Sequence, residues 1–433
     1  MRYYYHSKSF TQIFNKNFFM QTIEAIENLS IALPVEKFLN ADTTKPFPTP
    51  MIYGIHKKII KICIWINILL CSLYAIKNPL RTFKAMKKLK GLRDNSRENH
   101  SILKYAKVDN KYYYSLNAPG WPSKAFSKYI LNNIRKLDPA SAHITLDTIV
   151  FGVTKKCGYQ CEHCFEWDAL NKPETLGRED LLSIIWSFQD IGITQVQLSG
   201  GEPLNRLDDI IYLLHSIKKG TEVWLYTSGY HLTEERAALL KDAGLTGIIV
   251  SLDHWIPELH NTFRGMKNAF EWAEKAVANA RKKNLVVCLS LCATKEFISK
   301  KNLSRYAELA KNWGISFIQV LEPRAVGHYA EKDVHLSESQ IAALEDFYIT
   351  CNYNKDYLNY PSILYHGFYS RRIGCAGGGK YFLYVDTDGD VHNCTFCRHK
   401  LFSALHDPIE ENLKNMLNTG CSAFINSWKN IEQ

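Results

Sequence analysis

Nothing in the 433-residue chain reads as a clear secretory signal. Its cysteines therefore belong to a reducing, cytoplasmic setting, where twelve of them serve metals or catalysis rather than disulfides. Charge is also sparse. With 22% charged and 46% hydrophobic residues, the composition excludes a disordered chain and leaves ample material for a core. The formal charge of +10 is moderate, and much of it falls in Lys77 to Lys136, which includes Lys84, Lys87, Lys88, Lys90 and Arg93. That stretch lacks the regularly interleaved aromatics of a nucleic-acid module, so no nucleic-acid partner is expected. A solvated helix face or a contact with a membrane surface fits it better.

Long apolar runs are equally scarce. Ile59 to Ile76 comes nearest, but Lys61 and Asn67 interrupt it and it barely reaches bilayer-spanning length. Its apolar residues surround the whole helix, which predicts a buried or interfacial helix, with a true span as the other reading; the lysines after Ile76 would then set the following region on the cytoplasmic side. Residues 1–115 hold no chemical motif and form an accessory region. Thr43 to Pro50 and Asn117 to Ser123 are turn-rich breaks. The length predicts more than one unit, here 1–115, 116–330 and 331–433.

From Leu146 the pattern becomes regular. Strands are predicted at Leu146 to Thr154, Thr194 to Gly200, Glu222 to Thr227, Gly247 to Asp253, Leu285 to Ala293 and Ser316 to Leu321. Amphipathic helices lie between them: Leu181, Ile184, Ile185 and Phe188 share one face, as do Ile210, Leu213, Leu214 and Ile217. Thr233 before Glu234 and Glu235 marks a capped helix start. Six strand-helix alternations predict an α/β fold, a parallel sheet curved into an open, partial (βα)6 TIM-like barrel, with ligands at the carboxyl ends of the strands. A mainly helical extension precedes it and a small cysteine-rich domain follows.

The loop after the first strand, Thr154 to Phe165, reads TKKCGYQCEHCF. Cys157, Cys161 and Cys164 can wrap one corner of a four-iron cluster and leave one iron without a protein ligand. Such an exchangeable position lets a Lewis-acidic metal hold a cosubstrate. The spacing also admits a zinc site with His163 as fourth ligand, although His163 adjoins Cys164 and makes an awkward tetrahedral chelate. After the second strand stands Ser199-Gly200-Gly201-Glu202-Pro203. Its glycines allow close backbone approach to a ligand, and its carboxylate suits an ammonium group.

Together these motifs resemble the radical SAM superfamily, with its C-x3-C-x2-C loop after the first strand of a partial barrel and a GGE-type motif after the second. The resemblance covers about Leu146 to Arg324. It implies a 4Fe-4S cluster on Cys157, Cys161 and Cys164 that binds S-adenosylmethionine (AdoMet). His163 would pack near the adenine, Gly200, Gly201 and Glu202 would bind the methionyl amine, and Ser199 would belong to the same cofactor site. Ser251 and Asp253, with Arg264 downstream, resemble the region that contacts ribose and carboxylate, and Leu321 an adenine-packing position. A strand-end cap and a surface ion pair explain Ser251, Asp253 and Arg264 as well.

A second cysteine group follows: Cys375, a hairpin from Lys380 to Val391 turning at Asp388-Gly389, then Cys394, Cys397 and Cys421. This is similar to the SPASM or twitch extension of radical SAM enzymes. Four cysteines rather than seven imply a single auxiliary cluster, with its fourth ligand in doubt. Structural zinc, with His392 or His399 as substitute ligands, is the alternative. Cys288 and Cys292 share one strand face and read as packing; Cys63, Cys71 and Cys351 have no partners at metal spacing.

The resemblance implies reductive cleavage of AdoMet, with electrons from a flavodoxin or ferredoxin type of donor. The resulting 5′-deoxyadenosyl radical would abstract hydrogen from a substrate in the barrel. A peptide or protein is the first expectation, which would make the chain a maturase. A small molecule (cofactor precursor, sugar or lipid) comes second, and a non-catalytic metal-binding protein is the reading outside the enzyme class. In Leu321 to Tyr329, Arg324 or His328 would face the substrate, unless they are merely charged groups at a strand end.

Overall fold

The computed structural model describes residues 48–138, 145–375 and 377–416. Thr43 to Phe47 of the first predicted break lie outside them, and Pro48 to Pro50 have no regular structure. The accessory region contains a small antiparallel sheet that the sequence pattern did not reveal, β1 (Met51–Ile52), β2 (Tyr105–Val108) and β3 (Lys111–Tyr113). Its helices are α1 (Gly54–Ile76) and α2 (Pro79–Ser96), and α3 (Lys124–Leu137), beyond residue 115, packs on them.

α1 starts five residues before the predicted run and ends where Lys77 turns left-handed at φ 54°, its N–H bonding Leu73 O at 2.9 Å. Asn78 then accepts from Arg81 N at 3.1 Å with Pro79 opening α2, a sharp helix-to-helix turn. One face of α1, Ile60, Ile64, Ile68 and Cys71, packs on Phe126, Ile130 and Ile134 of α3 and on Tyr105, Tyr112 and Trp121. Ser123, at the end of the second break, caps α3 by accepting Phe126 N at 3.0 Å.

All six predicted strands are present, shortened by at most two residues at an end: β4 (Thr148–Gly152), β5 (Gln195–Ser199), β6 (Glu222–Thr227), β7 (Gly247–Ser251), β8 (Val286–Cys292) and β9 (Phe317–Leu321). They pair in chain order and in parallel, as right-handed crossover connections require. The predicted helix faces are the ones that cover them: Leu181, Ile184, Ile185 and Phe188, then Ile210, Leu213 and Leu214, are all buried.

The parallel run does not stop at six. β10 (Ser362–Tyr365) pairs in parallel with β9, and β11 (Phe382–Val385) pairs in parallel with β4. β12 (Asp390–His392) and β13 (Phe402–Ser403) then extend the sheet antiparallel. The hairpin predicted at Lys380 to Val391 thus forms, but its first strand belongs to the barrel sheet, because Leu383, Tyr384 and Val385 are all buried there.

The amino end of the barrel is filled. Met51, Ala106, Tyr113 and Leu116 share one apolar cluster with Trp224, Ile249, Val286, Cys288, Phe317 and Leu364, each among the first three residues of its strand. Lys104, 2% exposed, locks this plug in place by donating to the carbonyls of Cys351, Tyr357, Tyr360 and Pro361 at 2.8, 2.7, 2.6 and 3.2 Å. The carboxyl end is left for chemistry.

Candidate metal centre

The cysteine loop leaves β4 at its carboxyl end and is zipped to the loop that leaves β5. Gly201 N donates to Thr154 O at 2.7 Å and Glu202 N to Lys156 O at 2.8 Å. A Cβ on Gly200, which has φ 122°, would stand 2.5 Å from Thr154 O; one on Gly201 would stand 2.8 Å from the carbonyl carbon of Lys156 and 3.2 Å from Cys157 Cβ. The two glycines therefore let loop meet loop, a role that the ligand-approach reading missed. Further clamps come from Asn171, which exchanges hydrogen bonds with Cys157 N and O at 3.1 and 3.0 Å, and from Gln160 N and Glu162 N, which bond Arg264 O and Phe263 O at 3.2 and 3.0 Å.

Cys157, Cys161 and Cys164 meet in one small apolar cluster with Tyr159, Ala269, Tyr230 and Met266. Burial pushes the Cys157 and Cys164 thiols up to about 12 and raises Cys161 as well, although Arg264 pulls the last one down. Thiols so disposed hold their protons until a cation replaces them. Among the described residues no three His, Cys, Asp or Glu converge closely enough for a single ion. A cluster takes one thiolate per iron, so its ligands need not meet at a point, and this donor set fits a cluster rather than lone zinc. The His163 ring stacks on Phe263 (centroids 4.9 Å, 20°), burial lowers its pKa to about 4, and its Nδ1 is buried without a hydrogen-bond partner.

Asp253 and Arg264 form a buried pair, not the surface pair considered from sequence. Nε and Nη2 of Arg264 both reach Asp253 Oδ2 at 2.6 Å, Nη1 points to Cys161 Sγ at 3.5 Å, and Asp253 Oδ1 accepts Cys292 N at 2.9 Å. Burial works to raise the Asp253 pKa, but Arg264, His163, His260 and the Cys292 N–H together outweigh it and hold the carboxyl below its usual range. Ser251 and Leu321 stand half-buried at the carboxyl ends of β7 and β9, and Ser199 ends β5.

Glu202 departs from expectation. Its Oε1 accepts Leu204 N at 3.1 Å and Thr227 Oγ1 at 2.9 Å, and its Oε2 accepts Ser228 N at 2.7 Å and the Ser228 hydroxyl. The carboxylate's acceptor positions are thus filled by its own chain. His328 and Arg324 are also placed differently from the substrate-facing role. His328 N bonds Cys164 O and its Nδ1 meets Cys161 O, both at 2.9 Å, while Arg324 pairs with Glu322 at 3.2 Å and lies near Cys394. The segment braces the first cysteine group through His328.

In the second group, Gly377 N donates to Cys375 Sγ at 3.3 Å, a Cβ on Gly377 would lie 3.5 Å from both Cys375 Sγ and Cys394 Cβ, and Cys397 N bonds Cys394 O at 3.1 Å. Three of the four cysteines are therefore neighbours, and Cys421 lies outside the described residues. His392 is unsuited as a substitute ligand, because both ring nitrogens are engaged, with Asp386 Oδ2 at 2.8 Å and His399 O at 3.0 Å. Sequence reasoning missed the tie between the two groups. Glu166, two residues after Cys164 and 2% exposed, takes the Tyr384 hydroxyl and the guanidinium of Arg398, which follows Cys397. Lys155 likewise pairs with Asp388 in the hairpin turn. No local pattern announces partners more than two hundred residues apart.

Residues 152–310 match the family model described as Radical SAM superfamily. A GTP 3′,8-cyclase of Aliarcobacter butzleri is 31% identical over 186 residues, 41% of this chain and 56% of that relative, so the chain spans about half its length. The mycofactocin maturase MftC of Mycolicibacterium smegmatis is 24% identical over 295 residues, 66% of this chain and 70% of that one. In fold, the chain is similar to Streptococcus suis SuiB bound to its precursor peptide SuiA, with TM-score 0.52, 15% identity and coverage of 79% and 80%, and to native anSMEcpe with bound AdoMet, with TM-score 0.51, 18% identity and coverage of 65% and 84%. Strand order and cysteine loop agree with the family match, so residues 152–310 are similar to the Radical SAM superfamily.

Proposed function

We propose that this chain is a radical AdoMet enzyme. The observation that carries the reading is the meeting of Cys157, Cys161 and Cys164 in one apolar cluster, at the carboxyl end of a parallel barrel, against the Gly200–Glu202 loop and Arg264. Those three thiolates would hold a four-iron cluster, which when bound would supply the electron for reductive cleavage of AdoMet and so for hydrogen abstraction from a substrate.

The chain's residues do the positioning. Arg264, fixed by Asp253, directs an N–H at Cys161 sulfur, the kind of hydrogen bond that raises a cluster's potential. His163, with one ring face stacked on Phe263, would pack near an adenine, with Leu321, Ser251 and Ser199 at neighbouring strand ends. Gly200 and Gly201 hold the cysteine loop in place. For Glu202 to meet the methionyl amine, Ser228 or Thr227 must yield a hydrogen bond. Cys375, Cys394 and Cys397, with Cys421, would hold an auxiliary cluster, and a flavodoxin or ferredoxin would be the electron donor.

For the substrate, a peptide or protein is favoured, because the maturase relative matches across 66% of this chain. A small molecule is the second reading, favoured by the cyclase relative, whose identity over the core is higher. Anaerobic reconstitution with iron, sulfide, dithionite and AdoMet should yield 5′-deoxyadenosine, and Cys161→Ala should abolish it. Full iron loading without cleavage would defeat the enzyme reading, and stoichiometric zinc without iron would defeat the cluster.

A further inference from the structure

Among the described residues, none covers the face of α1 turned away from α3. Ile55, Ile59, Ile62, Ile66 and Leu69, spaced four, three, four and three residues apart and so on one stripe, are 72, 45, 61, 47 and 41% exposed, and Leu80 and Phe83 at the start of α2 are 78 and 71% exposed. Seven large apolar side chains facing water on one helical hairpin exceed the scattered exposure of an ordinary surface.

Charge identifies the occupant. Gly54 to Arg93 contains Lys57, Lys58, Lys61, Lys77, Arg81, Lys84, Lys87, Lys88, Lys90 and Arg93 and not one Asp or Glu. These ten positive charges equal the whole chain's formal net charge of +10, so the remainder is balanced. Lys84, Lys87, Lys88 and Lys90 are exposed directly beyond Phe83. Apolar side chains beside many basic ones, with Asp94 the one acid of the hairpin and paired to Lys90 and Arg93, complement an anionic lipid surface.

We propose that the α1–α2 hairpin seats this protein on anionic bilayers, with the hairpin in the plane of the headgroups. At 23 residues α1 is long and apolar enough to cross a membrane, yet its other face is committed to protein: Cys71 and Ser72 are fully buried and Asn67 nearly so. Seating in the plane keeps that packing, whereas crossing would strip it away. The inference is independent of the AdoMet reading and holds for the protein without a cluster.

Flotation of the full chain with vesicles tests it. Binding is expected to vesicles of equal parts phosphatidylglycerol and phosphatidylcholine, at least about tenfold stronger than to phosphatidylcholine alone, and weakened by salt. Ile62→Glu combined with Ile66→Glu, at positions already facing solvent, should cost about tenfold or more, and so should the combination of Lys84→Glu, Lys87→Glu and Lys88→Glu. Circular dichroism of both variants should match the parent. Absence of binding, binding indifferent to both sets of substitutions, or equal binding to neutral vesicles overturns the proposal. Concentration-dependent dimers that the Ile62/Ile66 variant loses, without vesicle binding, would assign the face to a second copy of the chain instead.

Discussion

Gly201→Ala separates two roles for the glycine loop. The added Cβ would lie 2.8 Å from the carbonyl carbon of Lys156, where carbon atoms prefer 3.5–4.0 Å. The obstruction is backbone, which no rotamer change can relieve, so the two loops must part by about 1 Å. Cys157 is the next residue, so the displacement passes directly to a cluster ligand. Overpacking of this kind costs about 1–3 kcal/mol of stability, and a reacting group misplaced by about 1 Å loses on the order of 100-fold in rate. The assay is iron and sulfide content after anaerobic reconstitution, followed by the rate of 5′-deoxyadenosine formation. Both should fall in Gly201→Ala. A variant that loads its cluster like the parent and loses only AdoMet affinity would refute the loop-seating role and restore the glycines to ligand approach.

Other outcomes follow from buried charges and the second cysteine group. Glu222 is 4% exposed, and burial pushes its pKa from 4.5 to about 7 against the pull of Lys111 and Gly120 N–H. A raised acid pKa gives stability that is complete below pH 4.5 and is lost as pH rises to about 7; Glu222→Gln should remove that slope and stabilise the protein at pH 8 by about 3 kcal/mol, measured by urea unfolding across pH. Arg398→Met leaves Glu166 charged in a buried position and should destabilise by about 3 kcal/mol in the same assay, near the low end for such pairs because Arg398 is 31% exposed; an unchanged midpoint would mean that the pair does not join the two loops. Cys394→Ala with Cys397→Ala should halve bound iron while leaving the first cluster, and unchanged iron would argue against an auxiliary cluster.

The barrel was legible because β4 to β9 are runs of β-branched and apolar residues separated by helices with clear apolar faces, and the cysteine loop because its spacing is itself the signal. β10 was not, and of β11 only the strand within its hairpin was: Ser362–Tyr365 and Phe382–Val385 are four residues each, too short to reveal which sheet they join, and only tertiary pairing places them in the barrel sheet. Glu202 shows the limit for single residues. Its position at a strand end was readable, but the Thr227 and Ser228 donors that occupy it come from the next strand's loop. For α1 the composition concealed an asymmetry, since a helix apolar all round does not reveal which face α3 will cover. Asp253 and Arg264 were identified as candidates, whereas their burial beside Cys161 sulfur required the fold.

On the proposed reading, three thiolates hold one cluster with an iron open to AdoMet. Electron paramagnetic resonance of the dithionite-reduced protein carrying Cys375→Ala, Cys394→Ala and Cys397→Ala, recorded with and without AdoMet, tests it most directly. The account predicts a single four-iron signal whose g-values shift when AdoMet is added. A cluster signal that AdoMet leaves unchanged, or no cluster signal in fully reconstituted protein, would contradict it.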